Sequence, residues 1–370
     1  MSASPTTAPR QRTTSELQGV WLVAEREIGS KLRSKAFVIS TAILFILALA
    51  GVLIGGFATE HTAGTPIAVV GAASAEVEDI AGLDITEVAD RAAAEALVTS
   101  GDVDAAVIVD PNSPVGFTVI ADTSAPTTLL LTLAKVPPVE LLNPSQTNEA
   151  LRYLVAIGFG IVFLMAASMF GGTIAQSVVE EKQTRVVEIL ISAIPARALL
   201  AGKVIGNTIL AMGQIIGLAA IAVIGLTVTG QTAILQGLGT AIVWFAIFFL
   251  FGFILLAALF AAAAAMVSRQ EDIGSTTLPL TMLIMLPYFL VIFFNDNPTV
   301  MTIMSYVPFS APVGMPMRLF LGEAQWWEPL LSLAILLVTC LAAIWVGSKI
   351  YQNSLLRMGA RVKLSEALRG

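Results

Sequence analysis

Residues Ser177–Lys203 read SVVEEKQTRVVEILISAIPARALLAGK, and the way this segment partitions decides the fold. It ends one charge-free run, residues 153–179, and opens onto another, residues 204–268. Taken as a helix, it puts Glu181, Thr184, Arg185 and Glu188 at i, i+3, i+4 and i+7, on one shared face. Val179, Val186, Ile189 and Leu190 form the opposite, apolar stripe. Glu181 stands four residues before Arg185, the favourable order for a helix ion pair. Pro195 then pushes Ile194 out of the α region and suits the first turn of a new helix. The expectation is an amphipathic helix, a break, and a second helix running into an apolar span. A solvated connector between two membrane helices is the plainer reading of the same pattern.

Of the 370 residues, 56% are hydrophobic and only 12% charged, and the mean hydropathy is +0.85. Soluble domains carry about 25% charged residues, so this composition belongs to an integral membrane protein. Cys340 is the single cysteine, which excludes an intrachain disulfide and a cysteine metal cluster. His61 is the single histidine and cannot build an HExxH or other histidine metal site.

Spans follow from charge-free runs, since about 20 apolar residues cross the hydrocarbon core. The first lies within residues 36–57 and the second within 153–179. Residues 204–268 hold two more, with a tight turn near Thr229–Thr232. Residues 273–295 and 329–348 supply the fifth and sixth, and none of the six predicted spans contains an ionisable residue. Residues 297–317 are also uncharged, but Pro298, Pro308, Pro312 and Pro316 break any continuous helix there. Non-helical backbone at membrane depth needs cover from protein or a water-filled cavity, so a re-entrant or interfacial hairpin fits better than a seventh span. Six spans with the N-terminus inside put 16 of the 20 Lys and Arg residues on the inner side. That distribution satisfies the positive-inside rule. Trp326 and Trp327 read as an outer interfacial anchor of the last span, with Trp345 and Tyr351 as the inner one.

Before the first span, residues 1–15 read as a polar tail and Leu17–Lys35 as a basic amphipathic segment suited to the headgroup layer. Between spans one and two, residues 60–150 hold 14 acidic residues and read as a soluble outer domain. Pro66–Gly71, Leu83–Val88, Asp104–Asp110 and Phe117–Asp122 have strand character. Arg91–Thr99 and Thr127–Lys135 have helical character, and Pro137-Pro138 and Asn143-Pro144 mark a return segment. Asp102 and Asp104 lack the ligand spacing of a calcium loop and read as solvated surface.

No nucleotide P-loop, nucleophile elbow or paired metal ligands occur in the sequence. Ion-coupled carriers usually keep carboxylates or basic groups at membrane depth, although carbonyls and hydroxyls can also coordinate sodium. A chain that moves cargo without its own charged relay takes its energy from a partner. The inner segment Ser177–Lys203 is where such a partner could act.

The run Glu180-Glu181-Lys182-Gln183-Thr184-Arg185-Val186-Val187-Glu188-Ile189-Leu190-Ile191-Ser192, followed by Pro195-Ala196-Arg197 and Gly202-Lys203, resembles the EEKxxRxxEILLS…PxxLxxGK signature of ABC type-2 permeases. More narrowly, it looks like the NatB-like, sodium-extrusion branch. The likeness extends to residues 25–37, to Pro308–Pro312 with Arg318, and to Lys349–Gly359. Gln183 and Val187 stand where the family varies, and the outer domain has no counterpart pattern.

The resemblance implies six transmembrane helices in an all-α membrane domain, with a cytoplasmic coupling helix at 177–203 and a re-entrant hairpin at 297–327. A small α/β extracytoplasmic domain stands between spans one and two. The implied division is 1–35 (tail and interfacial helix), 36–57 (first span), 58–150 (outer domain), 151–350 (spans two to six) and 351–370 (tail). By resemblance, Glu180, Glu181, Lys182, Thr184, Arg185 and Glu188 would meet a partner ATPase. Val186, Ile189 and Leu190 would pack the helix back on the membrane domain, while Arg26, Lys31 and Arg33 would flank the contact. Expected partners are ABC ATPase subunits, a second permease (identical or not) and the lipid bilayer, with no nucleic acid. The chain itself would be no enzyme and bind no cofactor or metal, since ATP and Mg belong to the ATPase. The expected setting is the plasma membrane, multi-pass with both termini cytoplasmic, exporting an ion, a lipid or a drug-like molecule. A stand-alone sodium-coupled carrier, and a membrane-anchored sensor or structural protein working through its outer domain, are the alternative readings.

Overall fold

In lipid an apolar run satisfies its own backbone groups only as a helix or a closed barrel, and here the long runs become helices. The structure, a computed structural model, describes residues 15–60, 65–71, 83–110, 113, 116–122, 129–130, 149–357 and 362–369. It divides into two compact units, Leu53–Pro144 on one hand and Met1–Val52 with Ser145–Gly370 on the other.

The chain enters through α1 (Glu16–Arg33), whose first turn is closed by a reciprocal capping box between Ser15 and Gln18. After Ser34 it continues as α2 (Lys35–Glu60). The smaller unit contains strands β1 (Thr65–Val70) and β2 (Leu83–Val88), helix α3 (Arg91–Ser100), and strands β3 (Ala105–Val109) and β4 (Phe117–Ile120). Its sheet has the order β2-β1-β3-β4, with β1 parallel to both β2 and β3, and β4 antiparallel to β3. Period-2 alternation supplies two apolar faces. Ala68 and Ala106 pack on α3 through Ala94 and Val98, while Ile67, Val69 and Val107 meet Leu129 on the other side. Asp90 caps α3, and Gly101 ends it in the left-handed conformation (φ 77°) that glycine adopts without strain. Apart from Leu129 and Leu130, the anticipated helix at 127–135 and the Pro-rich return lie outside the described residues, as does the tail before Ser15.

The larger unit continues with α4 (Glu149–Gln183), α5 (Val186–Ala193), α6 (Ala196–Val228), α7 (Thr232–Ala265) and α8 (Ile273–Phe293). It closes with α9 (Pro298–Tyr306), α10 (Ala311–Phe320), α11 (Glu328–Leu355) and α12 (Leu364–Arg369). Among the described residues, six helices contain stretches long and apolar enough to cross a membrane: Lys35–Ile54, Leu151–Gln183, Ala196–Val228, Ile234–Ala265, Gln270–Phe293 and Glu328–Leu355. The 35 residues of α4 reach about 50 Å at 1.5 Å per residue, well beyond a ~30 Å hydrocarbon core. Its charge-bearing end therefore forms a stem beyond the apolar run. The ionisable groups absent from the predicted spans sit on such extensions: Glu180, Glu181 and Lys182 complete α4, and Lys203 lies two turns into α6.

Phenylalanines hold the centre of the bundle. Phe245, Phe249 and Phe253 recur every fourth residue along α7 and face Phe159, Phe163 and Phe170 of α4. Their ring centroids lie 4.9, 6.0 and 6.0 Å apart, within the range of favourable aromatic pairs. The proline-rich segment forms two short helices rather than a span. Pro298 opens α9, Pro308 sits in the turn, and Pro312 occupies the first turn of α10. Residues Ala311–Arg318 of α10 are all buried, and a Cβ at Gly314 would lie 3.1 Å from the Met304 carbonyl, closer than ordinary contact, so a larger residue there would require the two short helices to give by a few tenths of an ångström. Arg318 ties the pair to the head of α11: it donates to Ser305 Oγ at 3.0 Å and pairs with Glu328, which also accepts from the Tyr306 hydroxyl at 3.1 Å. Tyr351, anticipated as an interfacial anchor, is instead fully buried in the bundle, whereas Trp345 and Trp326 are exposed.

Candidate functional site: a buried charge node beside a helix break

The single amphipathic helix expected through Glu188 is two helices. Helix α4 stops at Gln183, and Arg185 adopts φ 58°, the left-handed conformation usual for glycine after a helix C-terminus. That residue resets the helical phase. Glu181, Thr184, Arg185 and Glu188 consequently do not share one helix face, and Glu181 does not pair with Arg185. Val187, rather than Val186 or Ile189, enters the core; Val186 is exposed and Ile189 is 72% exposed. Leu190 is half-buried against the core. The second break falls at Ile194 and Pro195, where proline sterics require it.

The side chain of Glu181 turns inward to a node shared by three helices. Lys203, fully buried on α6, donates to Glu27 Oε1 of α1 at 2.8 Å and to Ser177 Oγ of α4 at 2.5 Å. It also pairs with Glu181 Oε1 at 3.0 Å. Arg26 pairs with the same Glu181 oxygen and lies 3.3 Å from Glu27 Oε1. Ser177 in turn donates to Glu27 Oε1 at 3.2 Å. Two cations thus balance two carboxylates, the condition under which buried charges are tolerated. One turn deeper, fully buried Asn207 donates to the Lys203 carbonyl at 2.9 Å and accepts from Thr173 Oγ1 at 3.3 Å.

Electrostatics agree with the geometry. Burial raises the Glu27 carboxyl pKa, but the Lys203 ammonium and Arg26 outweigh it and hold the group below the ordinary carboxylate range. Burial opposes the Arg26 charge, yet Glu181 and then Glu27 leave its pKa raised. Lys31, half-buried nearby, is lowered by desolvation despite attraction from Glu27 and Glu180.

Close packing of α1 on α6 makes the node possible. A Cβ at Gly202 would lie 2.5 Å from Val23 Cβ and 2.7 Å from the Val20 carbonyl; one at Gly206 would lie 2.9 Å from the Ala24 carbonyl. These two glycines, four residues apart, let the backbones approach as small residues do in membrane helix pairs.

Lys182 points the other way. Its ammonium, fully buried, donates to the Ala265 carbonyl at 2.7 Å and to the Ser354 carbonyl at 2.9 Å, at the C-terminal ends of α7 and α11. Both acceptors are among the last four carbonyls of their helices, at the negative end of a helix dipole; Ser354 accepts from the Arg357 amide as well, at 3.1 Å.

Of the residues anticipated for a partner surface, Glu180, Thr184, Arg185 and Glu188 are exposed, whereas Glu181 and Lys182 are buried. Arg33 is exposed; Arg26 and Lys31 are partly covered by the node. Glu27 and Lys203 escaped the sequence reading, although Glu27 lies on the stripe of Val20, Val23 and Ala24. An acid on an apolar stripe is the sign of a buried partner. Among the described residues no group of three or more His, Cys, Asp and Glu could hold a metal ion.

Residues 35–349 match the family model described as ABC-2 family transporter protein. An uncharacterized protein of Bacillus subtilis, YhaP, is 27% identical over 233 residues, covering 59% of this chain and 56% of the relative. An uncharacterized protein of Methanocaldococcus jannaschii, MJ1024, is 26% identical over 221 residues, covering 59% of this chain and 54% of the relative. The matched stretch therefore spans little more than half the length of these curated relatives. No solved structure matches.

Proposed function

Because the chain belongs to the ABC-2 family of transporter proteins, a family of membrane transport components, we propose that it is the membrane-spanning, non-hydrolysing subunit of an ATP-driven exporter. In this reading α5 and its flanking break dock on a separate ATPase subunit. The observation that carries it is the run of exposed residues at the break: Glu180, Thr184, Arg185 and Glu188 are exposed together with Val186 and Ile189. An exposed isoleucine in a stretch that also exposes charged residues, on a short helix between long membrane helices, suits a protein partner better than water. Glu181 and Lys182 stand behind this surface and do not form part of it.

Further features fill in the assembly. The bias of Lys and Arg puts the break, and both termini, on the cytoplasmic side of the plasma membrane. Helix α1 lies in the headgroup layer, with Leu17, Trp21 and Leu32 exposed on it, and the segment 298–320 is a re-entrant pair entering from the outer side. The complex contains two permeases and two ATPases. The resemblance to the sodium-extrusion branch favours an exported ion; the uncharged spans suit a lipid or an amphiphilic drug equally.

Co-purification with a neighbouring ATPase provides the test. The double reversal Arg185→Glu/Glu188→Lys, and separately Ile189→Asp, should abolish ATPase capture while leaving membrane insertion and thermal stability near wild type. Undiminished capture in both variants rules out α5 as the docking element.

A further inference from the structure

Glu181 and Lys182 are consecutive residues with opposite charges, and their partners are entirely different. Successive side chains on a helix diverge by 100°, so one residue can face α1 and α6 while the next faces α7 and α11. The Glu181 carboxylate meets Arg26 of α1 and Lys203 of α6, the latter at 3.0 Å. The Lys182 ammonium meets the end carbonyls of α7 and α11 at 2.7 and 2.9 Å. Arg185, whose left-handed backbone separates α4 from α5, follows within three positions.

We infer that Glu181 and Lys182 form a divided anchor at the base of α5, with Glu181 holding it to α1 and α6 and Lys182 holding it to α7 and α11. The two arms differ in chemistry, which makes them separable. The Glu181 arm is an ion-pair network whose cations keep another carboxylate, Glu27, when Glu181 is neutralised. The Lys182 arm has no carboxylate; one ammonium bridges two helix ends and binds them to α4. Displacement at α5 would therefore reach both halves of the bundle through adjacent residues. This last step rests on the docking role proposed above; the anchor itself does not.

Spin-label distance distributions on the full chain in lipid nanodiscs test the anchor. In a Cys340→Ala background, Ala193→Cys on α5 is paired with Leu22→Cys on α1, or with Leu356→Cys beside the end of α11. Both distributions should be narrow in the parent protein. Glu181→Gln should broaden the α5–α1 distribution alone, and Lys182→Gln the α5–α11 distribution alone. Lys182→Arg, which keeps charge and donors, should restore the narrow α5–α11 distribution. Equal broadening of both distances by either variant, as general loosening would cause, overturns the proposal; so does no broadening at all. ATPase capture by the same proteins separates the two ideas. Selective broadening without any capture by the parent leaves the anchor standing and removes the docking role, whereas capture with unselective broadening does the reverse.

Discussion

Lys203 Nζ lies 2.8 Å from Glu27 Oε1, although 176 positions separate the two residues in the chain. Their contact joins the first helix to the third apolar span at the level of the α4–α5 break. Both groups are buried and each has further partners in the node, so neither can be neutralised alone without stranding a charge. Lys203→Met is expected to destabilise the folded protein by about 3–5 kcal/mol, the usual cost of removing one member of a buried pair. The double variant Glu27→Met/Lys203→Met should recover part of that loss. Chemical unfolding in mild detergent, followed by tryptophan fluorescence, measures both.

The position of Glu27 on the pH axis gives a second expectation. Its carboxyl titrates below the unfolded value of about 4.3, so the stabilisation is present above that value. It is lost as pH falls through the folded pKa, where the folded state must also take up the proton. Wild type should therefore lose thermal stability below about pH 4.3 more steeply than Glu27→Gln. Thermal midpoints between pH 3 and 7, compared for the two proteins, check the sign.

Glycine spacing on α6 supplies a third. Gly202→Val places side-chain atoms where Val23 Cβ and the Val20 carbonyl already stand, with the first added carbon only 2.5 Å from Val23 Cβ. Helix α1 should detach from α6, at a cost of about 1–3 kcal/mol. Amide exchange within residues 16–33 should accelerate, and exchange within α7 should not.

Backbone strain at Arg185 yields a fourth, of opposite sign. A non-glycine residue in the left-handed region costs about 1 kcal/mol, so Arg185→Gly should preserve or modestly raise stability, while Arg185→Val should lower it. A rise in unfolding midpoint for the valine variant would contradict the phase break described here.

Apolar run length is a local property, which is why the six long helices and the paired short helices at 298–320 were legible from residue order alone. Strands at 65–70, 83–88, 105–109 and 117–120 were likewise legible from their Val, Ile and Thr content. The site was legible only as a segment. Its phase depended on Arg185 adopting a conformation that no glycine announced. The burial of Glu181 and Lys182 depended on contacts with Arg26, Ala265 and Ser354, which lie outside residues 177–203 and which periodicity within that segment cannot contain. Hints were nevertheless present on the partner helices. Glu27 occupies an apolar stripe of α1, and Lys203 and Asn207 follow one another at helical spacing on one face of α6, within an apolar span.

No residue of Lys35–Ile54 is buried, and Phe45 and Val52 of this first span lie at Gly217 and Gly225 of α6. During synthesis the span thus reaches the bilayer long before the surface it rests on exists. At 5–20 residues per second the ribosome needs roughly 10–35 s to travel from Glu27 to Lys203. Throughout that interval Arg26 and Glu27 are without Glu181 and Lys203 and have each other and solvent as company. Closure of the node is therefore a late event in biogenesis, and a chain arrested before residue 203 would display α1 undocked.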